Sequence, residues 1–521
     1  MKTTLLCGLL FLSGLFTGCK KNETAEPAGH AEHSLSSHLK TNAIATVLPG
    51  SPDDPNILYF GRWDKSNSLQ YNSAWGGAYL KTQFTGTTVK IKVGTTVTNY
   101  YYRIDNGPWV IKAGVSGTVD LTPSPLSAGP HSLIVAQGKD YSYVFTFQGL
   151  VLDPGASTSA PAVGVDLIEY IGDSITAGYF NTMAEVSDYA WIAAEQLGAE
   201  HTQIAYPGIA LVTGYGVNAD KTGMDMQYFK TQSLAFPSSP NWDFSNYSAK
   251  IVVINLGQND GSSAEPDSLF QSHYATLLAE IRTKFPNAHI FALRTFLGGR
   301  AAPTQAAVNS RIAAGDDNVY FIDTNGWLTP NSPDYRNSND VHPSDAGQIK
   351  AANKLAPILS SFLTGGTTPS PYIVDNCDAA TNWTSQNTLT LNTTDKKEGN
   401  AALQSLGSGT LEFQKHFTAF NPGATTANGG AIQFWYYVSD VSKLSSSNQI
   451  ELGSGGNADI NEYNWNIGPL VNGWNFISKT FASAGTTGGI PDITALNWLR
   501  IYHSKTASVT TRIDGIRIVH Y

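Results

Sequence analysis

The strongest constraint on the fold lies in the middle of the chain, where short apolar runs alternate with longer amphipathic stretches. The apolar runs are DLIEYIG, TQIAYPG, KIVVINLG, HIFALRTF and NVYFIDT, in that order. The stretches with helical character cover Tyr189–Leu197, Asp267–Phe285, Pro303–Ala314 and Ser344–Phe362. Strands that alternate with helices in this way predict a parallel sheet with helices on both faces. We therefore expect a three-layer α/β domain over residues 160–364.

The segments on either side of this domain show short alternating runs and no helical periodicity. Residues 51–156 contain TTVKIKV, NYYYRID, HSLIVAQ and YSYVFTFQGLVL, separated by Gly, Pro, Asn and Asp. Residues 372–521 contain GTLEFQKHF, AIQFWYYVS, NWNIGPL, NWLRIYH and TRIDGIRIV. Such runs predict antiparallel β-sandwiches. A linker rich in Gly, Thr and Pro at 365–371 separates the second sandwich from the α/β domain.

The N-terminus has the layout of an export signal, because Lys2 precedes an apolar run that is too short to span a bilayer. The run ends in LFTGC, which resembles a bacterial lipobox, although Phe16 stands where Leu is more common. We expect a signal peptide at 1–18, lipidation of Cys19 and a disordered polar tether at 19–50. The protein would then be an exported bacterial lipoprotein of the cell envelope, held on a membrane by its acyl chains. An ordinary secretory signal with an incidental cysteine is the alternative.

Composition argues against nucleic acid as a partner. The formal charge is -9, and no basic tract could neutralise a run of phosphates. Once the signal is removed and Cys19 is lipidated, Cys377 has no partner for an internal disulfide. The histidines of the tether have no regular metal-ligand spacing; they are His30, His33 and His38. We expect a monomer that needs no metal and no other cofactor.

A serine stands where the first apolar run of the α/β domain gives way to a turn, in EYIGDSITAGYF. Ligands bind at the C-terminal ends of strands in parallel sheets, so Ser174 lies where chemistry is expected. Thr176 stands where the nucleophile elbow of the α/β-hydrolases requires Gly. The structural alternative is that Asp173 and Ser174 cap the next helix.

Two further turns follow strands at the same edge of the predicted sheet. IVVINLGQND brings Asn259 there, and its amide could donate a hydrogen bond to a substrate oxygen that gains negative charge. IAYPGIAL brings Gly208 there, and a glycine allows a backbone N–H to approach the same oxygen. Ordinary tight turns explain both segments nearly as well.

The segment NDVHPSDAG supplies an imidazole and a carboxylate. A serine needs an imidazole to take its proton, and the imidazole needs an acceptor that fixes its tautomer. Asp340 and His342 are two residues apart, so their side chains point to the same side of an extended loop. Asp345 is the nearest competing acid, but the dipole of the following helix explains it. The other histidines of the domain lack an acid partner at such an edge; they are His201, His273 and His289.

Together, GDSIT, the glycine at 208, GQND and Asp-x-His-Pro resemble the four blocks of the SGNH hydrolases. The resemblance implies a flavodoxin-like α/β domain with Ser174 as nucleophile, His342 as general base and acid, and Asp340 as the residue that orients it. It also implies an oxyanion hole formed by the Ser174 N–H, the Gly208 N–H and the Asn259 amide.

The spacing of the acid and the histidine narrows this resemblance. Many SGNH enzymes place the acid three residues before the histidine, whereas Asp-x-His is the pattern of family two carbohydrate esterases. Those enzymes join an N-terminal β jelly roll to the SGNH domain, which residues 51–156 resemble, and NWDFSNYSAKIVVINLGQND is similar to their third block. The resemblance covers residues 55–362. It implies a serine esterase that removes O-acetyl groups from polysaccharides in the manner of an acetyl xylan esterase.

One feature of that family is missing. Some members carry a Trp between the acid and the histidine as a sugar platform, but Val341 cannot stack. Tyr179, Tyr206 and Tyr215 are candidate replacements, although each could equally be a core or rim residue. Exposed-looking aromatic residues also predict a sugar-binding role for the C-terminal sandwich, with core packing as the alternative; they are Trp383, Trp435, Tyr463, Trp465 and Trp474.

Two rival functions stay open. The first is a lipase, thioesterase or aryl esterase, because fold and triad do not fix the acyl donor. Polar loops such as NADKTGMDMQ argue against the broad apolar rim of a lipase. The second is a noncatalytic carbohydrate-binding surface lipoprotein, and the chemically competent residues at every triad and oxyanion position argue against it.

Overall fold

The computed structural model describes residues 47–138, 144–218, 221–236, 238–262, 264–365, 371–426 and 430–520. The predicted signal peptide, Cys19 and the tether up to residue 46 lie outside the described residues. Within the described ranges, no helix is both long enough and apolar enough to cross a membrane.

The N-terminal region consists of antiparallel sheets, as predicted. Its strands are β1 (Leu58–Phe60), β2 (Asp64–Asn67), β3 (Gln70–Ser73), β4 (Tyr79–Gly86), β5 (Val89–Lys92), β6 (Thr98–Ile104), β7 (Val110–Val115), β8 (Thr118–Asp120), β9 (Gly129–Gln137), β10 (Phe145–Phe147), β11 (Gly149–Leu152) and β12 (Thr158–Ser159). They pair in the orders β1-β4-β9-β6-β7, with β12 on β4, then β10-β3-β2 and β11-β5-β8. In β5, Val89 and Ile91 are buried while the lysines between and after them are exposed, which is the alternation of a strand with one buried face.

The central region is the predicted α/β domain. Its elements are β13 (Leu167–Gly172), α1 (Tyr189–Leu197), β14 (Glu200–Ala205), α2 (Met224–Gln227), β15 (Ile251–Asn255), α3 (Gln258–Gly261), α4 (Asp267–Lys284), β16 (His289–Leu293), α5 (Ala301–Ala313), β17 (Val319–Ile322) and α6 (Asp345–Ser360). The five strands are all parallel, in the order β14-β13-β15-β16-β17. Buried residues of α4 and α5 pack on one face of the sheet, and those of α1 and α6 pack on the other.

Local chemistry explains where these elements begin and end. Every residue of β15 is buried, which accounts for the apolar run of its first four residues. The Asp188 carboxylate caps α1 by accepting the Trp191 N–H at 2.8 Å, and Gly198, with φ +63°, ends it. The Ser344 hydroxyl accepts the Gly347 N–H at 3.2 Å, so it precedes the first turn of α6. The helix therefore begins one residue after the predicted Ser344.

The C-terminal region is an antiparallel sandwich, as predicted. Its strands are β18 (Tyr372–Asp375), β19 (Trp383–Thr384), β20 (Thr388–Asn392), β21 (Ala402–Gly407), β22 (Leu411–Phe420), β23 (Ala431–Val438), β24 (Leu444–Gly453), β25 (Glu462–Asn466), β26 (Gly473–Thr480), β27 (Gly485–Thr487), β28 (Leu496–Lys505) and β29 (Val509–Val519). One sheet has the order β20-β21-β29-β23-β26, with β18 on β29, and the other has the order β19-β22-β28-β24-β25-β27. Phe434 and Tyr436 from the first sheet and Ile450 and Leu452 from the second belong to one apolar core.

The aromatic residues expected on the surface of this sandwich are mostly buried, which corrects that expectation. Trp383, Trp435 and Trp465 are 6 %, 6 % and 4 % exposed, whereas Tyr463 and Trp474 are half-buried. The Trp465 indole N–H donates to the Thr480 carbonyl at 2.9 Å, so the polar atom of this buried ring is satisfied inside the protein. Trp435 lines a cavity of about 700 Å³ between the sandwich and α5.

Candidate active site

The order of the central sheet reverses at β13, because β14 lies on one side of it and β15 on the other. In open α/β sheets, ligands bind in the crevice at such a switch point, beyond the carboxyl ends of the strands. The turn that contains Ser174 follows β13 directly, and Asn259 lies in the single turn of α3 that follows β15. Both candidate residues therefore lie at the mouth of this crevice.

Three of the predicted site residues form a continuous hydrogen-bonded chain. Ser174 Oγ lies 3.0 Å from His342 Nε2, and His342 Nδ1 lies 2.8 Å from Asp340 Oδ1. Ser174 is 7 % exposed, and the side chains of His342 and Asp340 are 15 % and 16 % exposed. A neutral imidazole that donates its Nδ1–H to the carboxylate has Nε2 free to accept the serine proton.

A tight local turn explains how an acid only two residues before the histidine can reach its ring. Asp340 Oδ1 accepts the His342 backbone N–H at 2.9 Å as well as the ring Nδ1–H. An aspartate that bonds to the backbone two residues ahead is typical of an Asx turn. The Arg336 backbone N–H also donates to the His342 carbonyl at 3.2 Å, which fixes the histidine from its other side.

The electrostatics of the pair favour a neutral imidazole and an ionised carboxylate. Burial lowers the pKa of His342 below the usual 6.5, and this effect outweighs the opposing effect of Asp340. Burial pushes the pKa of Asp340 up, but the hydrogen bonds from His342 and the positive charge of Arg336 more than offset it and lower that pKa below 3.8. His342 is thus poised to accept a proton near neutral pH.

Asp345 does not contact the imidazole in the way that a competing orienter would. Its Oδ1 accepts the Asn181 side-chain amide at 2.8 Å and the Thr182 backbone N–H at 3.1 Å. The acid that the sequence assigned to the helix dipole therefore also ties the loop after Ser174 to the start of α6.

The three candidate donors of the oxyanion hole differ in whether they already have a hydrogen-bond acceptor within the protein. Among the described residues, the backbone N–H groups of Ser174 and Gly208 have no protein acceptor. Gly208 adopts φ +80°, which favours glycine at this turn. The Asn259 amide donates to the Ile209 carbonyl at 2.9 Å and more weakly to Asp173 Oδ2 at 3.3 Å.

Two buried aspartates that the sequence assigned no functional part connect the three blocks. Asp173 accepts the Ile175 N–H at 3.0 Å as well as the Asn259 amide, and burial raises the pKa of its carboxyl to about 7. Asp260 accepts the Leu211 N–H at 2.9 Å, in the segment that follows Gly208. The sequence could not show that these two aspartates are buried, because Gly-Asp and Asn-Asp pairs also occur in turns on protein surfaces.

The three candidate platform tyrosines have different surroundings. The ring of Tyr179 lies 5.4 Å from the His342 ring, measured between centroids. Tyr206 and Tyr215 are partly buried and pack against the core on the α4 and α5 face. Next to Tyr179, Phe180 is 51 % exposed and also lies 5.4 Å from His342. Sequence reasoning passed over Phe180, although it is an aromatic residue within the Ser174 block.

The other histidines of the domain have structural partners. His201 is buried between aromatic rings, and burial lowers its pKa to about 3. His273 pairs with Asp225 at 3.0 Å, and His289 contacts the Tyr320 hydroxyl at 3.2 Å. Ser174 is the serine that accompanies a paired histidine at the sheet edge.

Comparisons with known proteins agree with this geometry. Residues 170–349 match the GDSL-like Lipase/Acylhydrolase family, and residues 59–161 match the Carbohydrate esterase 2 N-terminal family. A solved family two carbohydrate esterase from Clostridium thermocellum, in complex with cellohexaose, is 30 % identical with a TM-score of 0.53. The match covers 59 % of this chain and 100 % of that one.

Two curated relatives cover the same part of the chain. The "Cellulase/esterase CelE" of Acetivibrio thermocellus is 34 % identical over 336 residues, which are 60 % of this chain and 40 % of that protein. The chain thus spans less than half the length of this relative. The "Acetylxylan esterase / glucomannan deacetylase" of Cellvibrio japonicus is 22 % identical over 60 % of this chain and 90 % of its own length.

Proposed function

This chain belongs to the SGNH (GDSL) hydrolases, within carbohydrate esterase family two, and we propose that it removes O-acetyl groups from polysaccharides. The observation that carries the proposal is the chain of hydrogen bonds from Ser174 through His342 to Asp340 at the switch point of the sheet. The relative from Cellvibrio japonicus is an acetylxylan esterase and glucomannan deacetylase by name, which supports this substrate class.

The first half of the reaction forms an acetyl-serine. Ser174 Oγ attacks the ester carbonyl carbon while His342 Nε2 takes its proton, and the resulting imidazolium is stabilised by Asp340. The carbonyl oxygen becomes an oxyanion, and the N–H groups of Ser174 and Gly208 and the Asn259 amide donate hydrogen bonds to it. The tetrahedral intermediate then breaks its bond to the sugar oxygen, which leaves with the proton from His342.

The second half repeats these steps with water. His342, neutral again, takes a proton from a water molecule whose oxygen attacks the acetyl carbonyl. Collapse of the second tetrahedral intermediate returns the proton to Ser174 Oγ and releases acetate. The low pKa of Asp340 keeps its carboxylate ionised throughout, so that it holds the Nδ1–H of His342 in place.

The test is acetate release from acetylated xylan, acetylated glucomannan and p-nitrophenyl acetate. We expect Ser174→Ala to lose at least about 10⁴-fold in kcat, because the nucleophile is removed. Ser360→Ala, which changes an exposed serine on α6, is the matched control. Substantial activity in Ser174→Ala would refute the assignment of the nucleophile. Activity confined to long-chain esters would instead favour the lipase alternative.

The N-terminal sequence supports a second proposal, that the enzyme works as a lipoprotein of the cell envelope. LFTGC places Cys19 directly after the apolar run of the export signal. We expect radioactive palmitate to label the wild-type protein in a bacterial host and not to label Cys19→Ser. Equal labelling of the two proteins would contradict the lipid anchor.

A further inference from the structure

Phe180 combines three properties that a purely structural residue seldom shows together. Its side chain is half exposed although it is a large apolar ring. Its backbone has φ +70°, in the left-handed region that bulky residues rarely adopt. Its ring stands edge-to-face against His342, with 5.4 Å between centroids and an interplanar angle of 83°. An unfavourable backbone that exposes an aromatic ring beside the catalytic base indicates a functional reason for the ring.

The surrounding hydrogen bonds hold Phe180 in this conformation. The Tyr179 N–H donates to the Ser174 carbonyl at 2.9 Å, and the Asn181 N–H donates to the Gly178 carbonyl at 2.9 Å. The side chain of Asn181 is bound in turn by Asp345 and by the Gln348 amide at 3.1 Å. The residues on both sides of Phe180 are therefore fixed to the nucleophile turn and to α6.

Arg336 supports the ring from one side. The centre of its guanidinium lies 3.9 Å from the centroid of the Phe180 ring. Its Nη1 also lies 3.3 Å from Asp340 Oδ2, so the same side chain contacts the triad. A guanidinium over an aromatic face is a favourable arrangement, and it orients the ring.

We propose that Phe180, supported by Arg336, is the platform on which the sugar ring stacks while Ser174 attacks its ester. The inference rests on the proposed function and deepens it. One face of a sugar ring consists of C–H groups, and stacking this face on an exposed aromatic ring removes apolar surface from water, which is favourable. Val341, between the triad acid and base, is too small and not aromatic, so it cannot provide such a face. Phe180 provides one next to the ring of His342.

The decisive variant is Phe180→Gly, because glycine accepts a positive φ without strain. A structural role would predict a lower melting temperature for this variant. A platform role predicts a melting temperature that is unchanged or higher, together with a loss of sugar recognition. Phe180→Tyr retains the ring and is expected to retain most of the sugar recognition that Phe180→Gly loses. Ile490→Ala, which removes a 90 % exposed apolar side chain in the C-terminal region, is the surface control.

Two readouts separate this inference from the proposed function. In the first, KM for an acetylated xylo-oligosaccharide rises in Phe180→Gly, and kcat/KM falls about tenfold more for this substrate than for p-nitrophenyl acetate. In the second, calorimetry measures binding of cellohexaose and of xylohexaose to Ser174→Ala, which cannot turn over. The double variant Ser174→Ala/Phe180→Gly is expected to bind at least tenfold more weakly.

The outcomes distinguish failure of the platform role of Phe180 from failure of the proposed deacetylase function. If Ser174→Ala binds neither hexasaccharide, or if the double variant binds as tightly as Ser174→Ala, the platform is wrong. If the wild type releases no acetate from polysaccharide but Phe180 is still needed for hexasaccharide binding, the platform stands and the deacetylase function fails. A lower melting temperature of Phe180→Gly with unchanged selectivity would assign the ring a structural role instead.

Discussion

The catalytic edge of the central sheet and the C-terminal sandwich both contain residues that the sequence marked for carbohydrate chemistry. At the sheet edge, Ser174 and His342 are 168 positions apart in the chain and within 3.0 Å in space. In the sandwich, Trp383, Trp435 and Trp465 are at most 6 % exposed and pack inside the protein. The same kind of interpretation from sequence therefore led to side chains that contact one another at a sheet edge in one region and to packing residues in the other.

The two regions differ in how much burial of each residue type contributes to the free energy of folding. Burial of serine, histidine or aspartate in a core contributes little, so their occurrence together at strand ends needs another explanation. Tryptophan gains from burial wherever its N–H finds an acceptor, as that of Trp465 does in the Thr480 carbonyl. Polar residues placed after strands are thus better evidence of function than aromatic residues placed within strands.

The largest effect that tests this comparison is expected from Asp340→Asn. An asparagine can hold the imidazole in the wrong tautomer, so we expect kcat for p-nitrophenyl acetate to fall about 10⁴-fold. Asp345→Asn is the matched control, because its carboxylate binds the loop at 181–182 and not the imidazole. A loss of less than tenfold in Asp340→Asn would show that Ser174 and His342 work as a dyad.

Trp465→Ala should have its effect on stability and not on sugar binding. Truncating a buried tryptophan costs about 3–5 kcal/mol of unfolding free energy, which denaturant titration followed by fluorescence can measure. Trp474→Ala is the comparison, because Trp474 is half-buried and its N–H donates to Asp395 at 2.8 Å. If either variant kept its stability but lost adsorption to insoluble xylan or cellulose, the sandwich would be a sugar-binding module after all.

The sequence predicted the central sheet well because its physical pattern is strong. Apolar runs such as IVVI are buried on both faces, and the four long helices differ from prediction by at most two residues at either end. At the start of α6 the difference comes from capping by Ser344. The one-turn helix α3 was expected to be a plain turn. The choice of Ser174, Asp340 and His342 rested on the rule that ligands bind at the carboxyl ends of strands and on the resemblance to the SGNH blocks. The strand order was not predicted and comes from the structure alone.

What the sequence could not predict depends on contacts between distant segments. The bond from Asp345 to Asn181 joins two loops, and neither residue shows by its type that the other is near. Phe180 was missed because its positive φ and its contact with Arg336 exist only in the folded chain. The cavity that Trp435 lines likewise forms only where the folded sandwich meets α5.

Asn259→Ala tests the oxyanion hole proposed at the edge of the central sheet, and its expected effect on kcat is of intermediate size. Loss of one oxyanion donor costs about 10² to 10³ in kcat, or about 2.7–4 kcal/mol of transition-state stabilisation. The Asn259 amide also bonds to the Ile209 carbonyl, so part of the change will appear in the melting temperature. Asn246→Ala, at an exposed asparagine outside the site, is the control. A large fall in stability with nearly normal kcat would make Asn259 a structural residue like those of the sandwich.

The smallest expected effect is on the pH dependence of kcat/KM, which reports the ionisation of His342 in the free enzyme. The imidazole must be neutral to act as a base, so activity should fall as the pH drops through its pKa, which lies below 6.5. The charge of Arg336 is one of the causes that lower this pKa, so Arg336→Gln should move the acid limb to higher pH. Arg336→Lys keeps the charge and should leave the limb in place. With p-nitrophenyl acetate as substrate, stacking on Phe180 does not enter the measurement. A limb that stays fixed in Arg336→Gln would mean that this arginine acts on the ring of Phe180 alone and not on the triad.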